Sequence, residues 1–232
     1  MRIDLMGPRL LPTLRTSMIL LAVVNLVILG MHLWPWQQVL NLPLDGATGI
    51  DPAITLLAYI GLVFWIAGKP KEPLKRALST GAMLGVLAGF LLVAYTLITT
   101  MLQARPAYAG AMLPNLVQMG LLAAAAILWG IAGLRGLWAT GSVGIGTLTG
   151  VWSAMVSCLM AVTAVLTEMS LAPPLPVTQD PWKQYEALAI GPEAIQALVY
   201  SLNLTSVFLL VGPLVGAAFG FVFAFFGHFE KE

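Results

Sequence analysis

Between Ser17 and Leu33 the chain carries no charged side chain, and stretches of the same kind recur toward the C-terminus. About 20 apolar residues, rising about 1.5 Å each, cross the roughly 30 Å of hydrocarbon in a bilayer. Only 9% of the residues are charged, against about 25% in soluble domains. A water-facing surface cannot be assembled from so few charges. The expected fold class is therefore all-α, a polytopic membrane bundle forming one domain over residues 1–232. The formal net charge of +1 gives no basis for nucleic-acid binding.

Six transmembrane helices are expected, near residues 16–33, 52–67, 77–102, 114–134, 143–167 and 195–227. Their limits are marked chemically. Asp51-Pro52 offers a capping residue and an N1 proline. Gly68 offers a stop, with Pro70 and Pro73 beyond it. Gly191-Pro192-Glu193 opens the last helix with an acid in its first turn, where the helix dipole favours it. Arg2, Arg9 and Arg15 ahead of an apolar run resemble a signal peptide. The run is longer than an h-region of roughly 7–15 residues, and Trp34-Pro35-Trp36 follows instead of a small-residue cleavage site. An uncleaved first helix is expected.

Lysine and arginine set the orientation. With the N-terminus inside, nine fall inside (Arg2, Arg9, Arg15, Lys69, Lys71, Lys75, Arg76, Arg135, Lys231) and two outside (Arg105, Lys183). Both termini are thus expected in the cytoplasm, in a bacterial inner membrane. Trp34, Trp36 and Trp182 fit an outer interfacial belt, and Trp65, Trp129 and Trp138 an inner one. The outer connection 168–194, with its stiff Pro173-Pro174-Leu175-Pro176 stretch and a short helix after Asp180, reads as a connector or a lid.

The strongest pattern is small residues at every fourth position: Gly81, Gly85 and Gly89; Ser142, Gly146, Gly150 and Ala154; Gly212, Gly216, Gly220 and Ala224. Helices in lipid gain little from hiding apolar surface from one another, so association depends on close backbone approach, which this spacing permits. All three ridges fall in the inner halves of their spans. A shift of 61 residues lays Gly85 and Gly89 over Gly146 and Gly150, a faint repeat that relates the second and third helices to the fourth and fifth.

The outer halves are bulkier and more polar, with Tyr95, Thr96, Thr99, Thr100, Asn115, Gln118, Ser157, Thr163, Thr167, Asn203, Thr205 and Ser206. Asn25, Gln118 and Asn203 are expected to face the bundle, because an amide in lipid loses its partners. With Ser157 they are the candidate lining of an outward-facing polar cavity. The simpler alternative is hydroxyls bonding back to their own helices and across to neighbours. Pro213 beside Gly212 predicts a kink in the sixth span.

Catalytic and metal signatures are missing: there is no HExxH, no GxSxG and no phosphate loop. Cys158 alone cannot form an intrachain disulfide, and it reads as a small buried hydrophobe. His32 and His228 are expected on opposite sides and cannot share a metal. Asp45 and Asp51 bracket a loop that reads as an ordinary turn. No Asp, Glu, Lys or Arg lies mid-span, which argues against ion-coupled transport. The sequence points to a non-enzymatic multi-pass protein without cofactors, a structural, assembly or accessory subunit whose partners are the bilayer and a membrane protein or a second copy. The alternative is a channel-like or permease-type protein for a neutral or apolar small molecule. An intramembrane enzyme ranks third.

Overall fold

The computed structural model of the protein describes residues 10–40, 50–68, 72–103, 112–171 and 192–229. Among these residues are six helices: α1 (Leu10–Leu40), α2 (Ile50–Ala67), α3 (Glu72–Gln103), α4 (Met112–Thr140), α5 (Val143–Leu171) and α6 (Pro192–Phe229). No strand occurs among the described residues. Four helices, α3 to α6, are long and apolar enough to cross a membrane. The described apolar parts of α1 and α2, Arg15–Met31 and Pro52–Ile66, are shorter. The chain is an α-helical membrane protein.

Helix limits follow local chemistry more than hydropathy. α2 begins at Ile50, so Asp51 and Pro52 sit in its first turn rather than flanking it. It ends at Ala67, with Gly68 just beyond. α3 starts at Glu72, ahead of the apolar run, with that acid in its first turn and Lys75 paired to it at 3.5 Å. α1 continues past Pro35 to Leu40. α4 runs on to Thr140, beyond the apolar stretch, and stops where Gly141 adopts φ +73°. That left-handed residue, whose N–H donates to the Leu137 carbonyl at 2.6 Å, is where a helix ends at low strain. Ser142, expected on a packing ridge, lies in this tight turn and heads α5 instead: its carbonyl accepts from the Gly146 N–H at 3.0 Å. The outer connection, its proline stretch and the 41–49 loop with Asp45 lie outside the described residues.

α5 is the axis of the bundle. Within its apolar span 72% of the residues are buried inside protein, against 39% for α3 and 33% each for α4 and α6. Residues 152–159 of α5 are buried without a break, so every side of this helix meets another helix. α3, α4 and α6 form its main walls, and α1 packs on a further side and against α2.

Small residues make the walls close. A methyl built on Gly85 would lie 2.6 Å from the Ser153 carbonyl oxygen and 2.9 Å from Val156 Cβ. One on Gly81 would meet Thr149 Cγ2 at 2.7 Å, and one on Gly89 would meet Met160 Sδ at 2.5 Å. The α3 ridge therefore seats on the Thr149–Ser153–Val156–Met160 face of α5. The α5 ridge turns the other way. A methyl on Gly150 would meet the Gly216 carbonyl at 2.6 Å and Gly220 Cα at 2.8 Å. One on Gly146 would lie 2.7 Å from both Ala224 Cβ and the Gly133 carbonyl, and Gly216 is pressed onto Ala154. The three ridges thus form two separate seams rather than one triple junction, with α5 between α3 and α6.

α4 joins these seams with a ridge of its own, Gly130, Gly133 and Gly136. Methyls there would strike the Phe223 ring at 2.6 Å, Gly220 Cα at 2.5 Å and Thr149 Oγ1 at 2.5 Å. The 61-residue shift has no counterpart in the packing. Gly85 and Gly89 meet α5, whereas Gly146 and Gly150 meet α4 and α6. α4 packs along α5, whereas α2 packs on α1 and α6.

The contacts give each helix a direction. α3 and α5 run parallel, since Gly81, Gly85 and Gly89 meet Thr149, Ser153 and Met160 in order. α6 runs against α5, since Gly212, Gly216 and Gly220 meet Cys158, Ala154 and Gly150. Arg15 of α1 lies over the Phe64 ring near the end of α2, 4.6 Å from its centroid. Arg15, Lys75, Arg76 and Arg135 therefore collect at one end of the bundle, here called the basic end.

Candidate functional site

Polar side chains in the other half of the bundle are mostly committed to backbone. The Thr96 hydroxyl donates to the Val93 carbonyl at 2.8 Å, Thr99 to Tyr95 at 2.8 Å, Thr163 to Leu159 at 2.8 Å, Thr167 to Thr163 at 2.7 Å and Ser206 to Leu202 at 3.1 Å. Such back-bonding uses the hydroxyl's one donor within its own helix and leaves only its acceptor lone pairs for other groups.

Side-chain pairs also join helices. The Gln118 amide of α4 donates to Thr99 Oγ1 of α3 at 2.8 Å. The Trp129 indole of α4 donates to Ser157 Oγ of α5 at 2.9 Å, and Ser157 donates in turn to the Ala154 carbonyl at 2.9 Å. Thr100 of α3 donates to Glu168 Oε2 of α5 at 2.6 Å, while Glu168 Oε1 is buried without a partner among the described residues. Trp129 is therefore a core residue, 6% exposed, and not part of an interfacial belt as expected. A buried indole N–H needs an acceptor, and Ser157 supplies it. Trp65 and Trp138, 76% and 46% exposed, lie on the outer surface toward the basic end.

The candidate cavity residues separate. Asn25 is fully buried, and its Nδ2 donates to the Leu159 carbonyl at 3.3 Å. Gln118 is half-buried and Ser157 is buried, both with the partners given above. Asn203 departs from expectation: it is exposed, on the face of α6 that also presents Val207, Leu210 and Leu214. Asn203 lies 11 residues into α6, beside apolar residues that share its exposed face. Asn115 is exposed near the start of α4.

Asn25, Gln118 and Ser157 therefore line no shared chamber that includes Asn203. One groove, of about 440 Å³, lies near the basic end between α4 and α6, lined by Leu134, Val222, Phe223, Phe226 and Gly227. Its lining is mostly apolar.

A second group of polar atoms includes Tyr59, Trp152 and Ser153, which were not singled out from the sequence, beside Asn25, which was. Tyr59 of α2 is 2% exposed and its hydroxyl has no partner among the described residues. The same holds for Asn25 Oδ1, Trp152 Nε1 and Ser153 Oγ. Tyr59 lies within electrostatic range of Cys158, whose sulfur fills the notch left by Gly212. No group of three or more His, Cys, Asp or Glu side chains occurs among the described residues. The chain matches no known protein family, no curated protein and no solved structure.

Proposed function

We propose that the protein is a non-enzymatic six-span subunit, structural or accessory in a larger membrane complex, with both termini in the cytoplasm of a bacterial cell. The basic end, with Arg15, Lys75, Arg76 and Arg135, supports placing that end inside. α1 and α2, with Arg15 and Phe64 at the same end, complete an up-and-down path for six crossings. The observation that carries the reading is the enclosure of α5. Every helix contributes to a closely packed bundle, and the outer-half hydroxyls return to backbone. This is the arrangement of a rigid scaffold.

The small-residue ridges are consumed inside the bundle, so a partner meets the outward faces. Gly30, Gly61 and Gly120 have nothing within 4 Å of an added Cβ and mark where a neighbouring helix has room to approach. Purification from native membranes in a mild detergent tests the reading. A stoichiometric membrane-protein partner or a stable homo-oligomer is expected, and a monodisperse monomer free of any partner would contradict it. The permease alternative draws support from the buried amides of Asn25 and Gln118. The exposed position of Asn203, on a face shared with Val207, Leu210 and Leu214, weighs against it.

A further inference from the structure

We propose that the groove between α4 and α6 near the basic end binds an anionic phospholipid, with an acyl chain in the groove and the headgroup phosphate on the Arg135 guanidinium.

The groove, of about 440 Å³, is bounded by close contacts between the two helices. The Phe223 ring covers Gly130, where a methyl would lie 2.6 Å from it, and Leu134 is pressed onto Gly227. The α6 wall is Val222 and Phe226, 43% and 68% exposed. Phe226 is braced from behind. Phe225 meets it edge-on at 6.0 Å and packs in turn on Phe221 at 5.7 Å and on Phe229 at 4.9 Å. A wall held by its own neighbours needs little ordering when an occupant enters. α4 and α6 are both long and apolar enough to cross the membrane, so an acyl chain is the apolar group most abundant beside the slot.

Arg135 supplies the other half of the site. It directly follows Leu134, which lines the groove. Trp138 lies four residues beyond Leu134, so the two share a helix face about one turn apart. The Arg135 guanidinium sits 5.6 Å from the Trp138 ring centroid. Stacking on the indole therefore holds the cation over the face that carries Leu134, one turn nearer the basic end. Arg135 is exposed and pairs with no carboxylate among the described residues. Its N–H donors are left free by the stacking, and their fork fits two oxygens of a phosphate.

An apolar slot with a free guanidinium at one end selects a ligand with an alkyl tail and an anionic head. Basic pockets between transmembrane helices bind phospholipid headgroups in this way. Free phosphate would use Arg135 and leave the slot bare, and a partner's apolar helix would fill the slot and leave Arg135 without an anion.

Native mass spectrometry of the full-length protein tests the site, after bound lipid has been stripped in mild detergent. The protein is titrated with phosphatidylglycerol and with phosphatidylcholine of the same chains. One equivalent of phosphatidylglycerol is expected to bind at least about fivefold more tightly than phosphatidylcholine. Arg135→Gln is expected to remove that preference. Val222→Trp, which fills the slot, is expected to weaken both lipids severalfold. Both changes fall at exposed positions, so the bundle stays intact. Lys75→Gln, at the same end but on α3, is expected to leave binding unchanged. Equal affinity of the two lipids for the unaltered protein would overturn the proposal. A loss on Lys75→Gln as large as that on Arg135→Gln would overturn it too, by showing a diffuse field rather than a site. So would phosphatidylglycerol binding that survives Val222→Trp; release of a copurifying protein by that variant would then assign the slot to a partner helix.

Discussion

An alanine at Gly150 should damage the bundle, whereas an alanine at Gly61 should not. The added methyl at Gly150 would lie 2.6 Å from the Gly216 carbonyl oxygen and 2.8 Å from Gly220 Cα. Both are backbone atoms, so neither rotates away, and α5 and α6 must separate along the seam. Overpacking of this kind costs about 1–3 kcal/mol. Alanine recovers at most about 1 kcal/mol through helix propensity, which leaves a net loss of up to roughly 2 kcal/mol even at full recovery. Gly85→Ala should behave alike, because it meets the Ser153 carbonyl at 2.6 Å. Gly89→Ala should be milder: its obstacle is Met160 Sδ, in a flexible side chain that is free to move. Gly61 has nothing within 4 Å, so Gly61→Ala should be neutral or stabilising by up to about 1 kcal/mol. Leucine should widen the contrast. Leucine at Gly85, Gly150 or Gly216 is expected to prevent recovery of monodisperse protein, while leucine at Gly61 is tolerated. Heating in mild detergent, read by size exclusion and near-UV circular dichroism, gives the ranking. If Gly150→Ala melts with Gly61→Ala, the spacing is incidental and the seams do not hold the fold.

Other consequences are tested singly. In a Cys158→Ala background, cysteines placed at Lys71 and at Gln179 should label from opposite sides of the membrane with an impermeant thiol reagent; labelling of both from one side would rule out six spans. The native Cys158, fully buried, should resist a small maleimide until the protein is denatured, and prompt labelling of the folded protein would place it at a surface. Ser157→Ala should cost about 1–3 kcal/mol by orphaning the Trp129 indole N–H, and Trp129→Phe should couple to it in a double-mutant cycle; additive effects would mean that the 2.9 Å bond does not form. Asn203→Leu should change stability by less than about 0.5 kcal/mol, as surface changes usually do, and a large loss would return Asn203 to the interior.

Much of the fold was legible because hydrophobic length and spacing are local properties. The apolar runs locate the helices, and spacing by four marks Gly81, Gly146 and Gly212 and their successors as contact ridges. What a ridge touches is not local. The Gly85 and Gly150 ridges look alike in sequence, yet they seat on α3–α5 and α5–α6 respectively. The α4 ridge went unread because Gly130, Gly133 and Gly136 recur every third residue, and three residues also keep to one helix face; a search at both spacings would have found it. The central place of α5 has a compositional trace. Trp152, Ser153, Ala154, Ser157 and Cys158 put polar or small groups on all its sides, whereas α4 and α6 each keep a greasy stripe for lipid.

The candidate site was less legible. Asn25, Gln118 and Asn203 carry the same reason to avoid lipid, and which face of the helix meets a neighbour, a non-local property, is what separates Asn203 from the other two. Trp129 looked interfacial because tryptophan favours that zone; its Ser157 acceptor is 28 residues away in the chain. Tyr59 drew no notice because a tyrosine in an apolar helix is ordinary until its hydroxyl proves buried and, among the described residues, without a partner.

The most direct test of the central claim, a lipid-embedded bundle wound around α5, is photolabelling from within the bilayer by an apolar carbene reagent, mapped by peptide mass spectrometry. Label should accumulate on exposed positions such as Leu116 and Met119 of α4 and Leu210 and Leu214 of α6, and be missing from the continuously buried stretch 152–159 of α5. Label on that stretch at the level found on α4 and α6 would contradict the account.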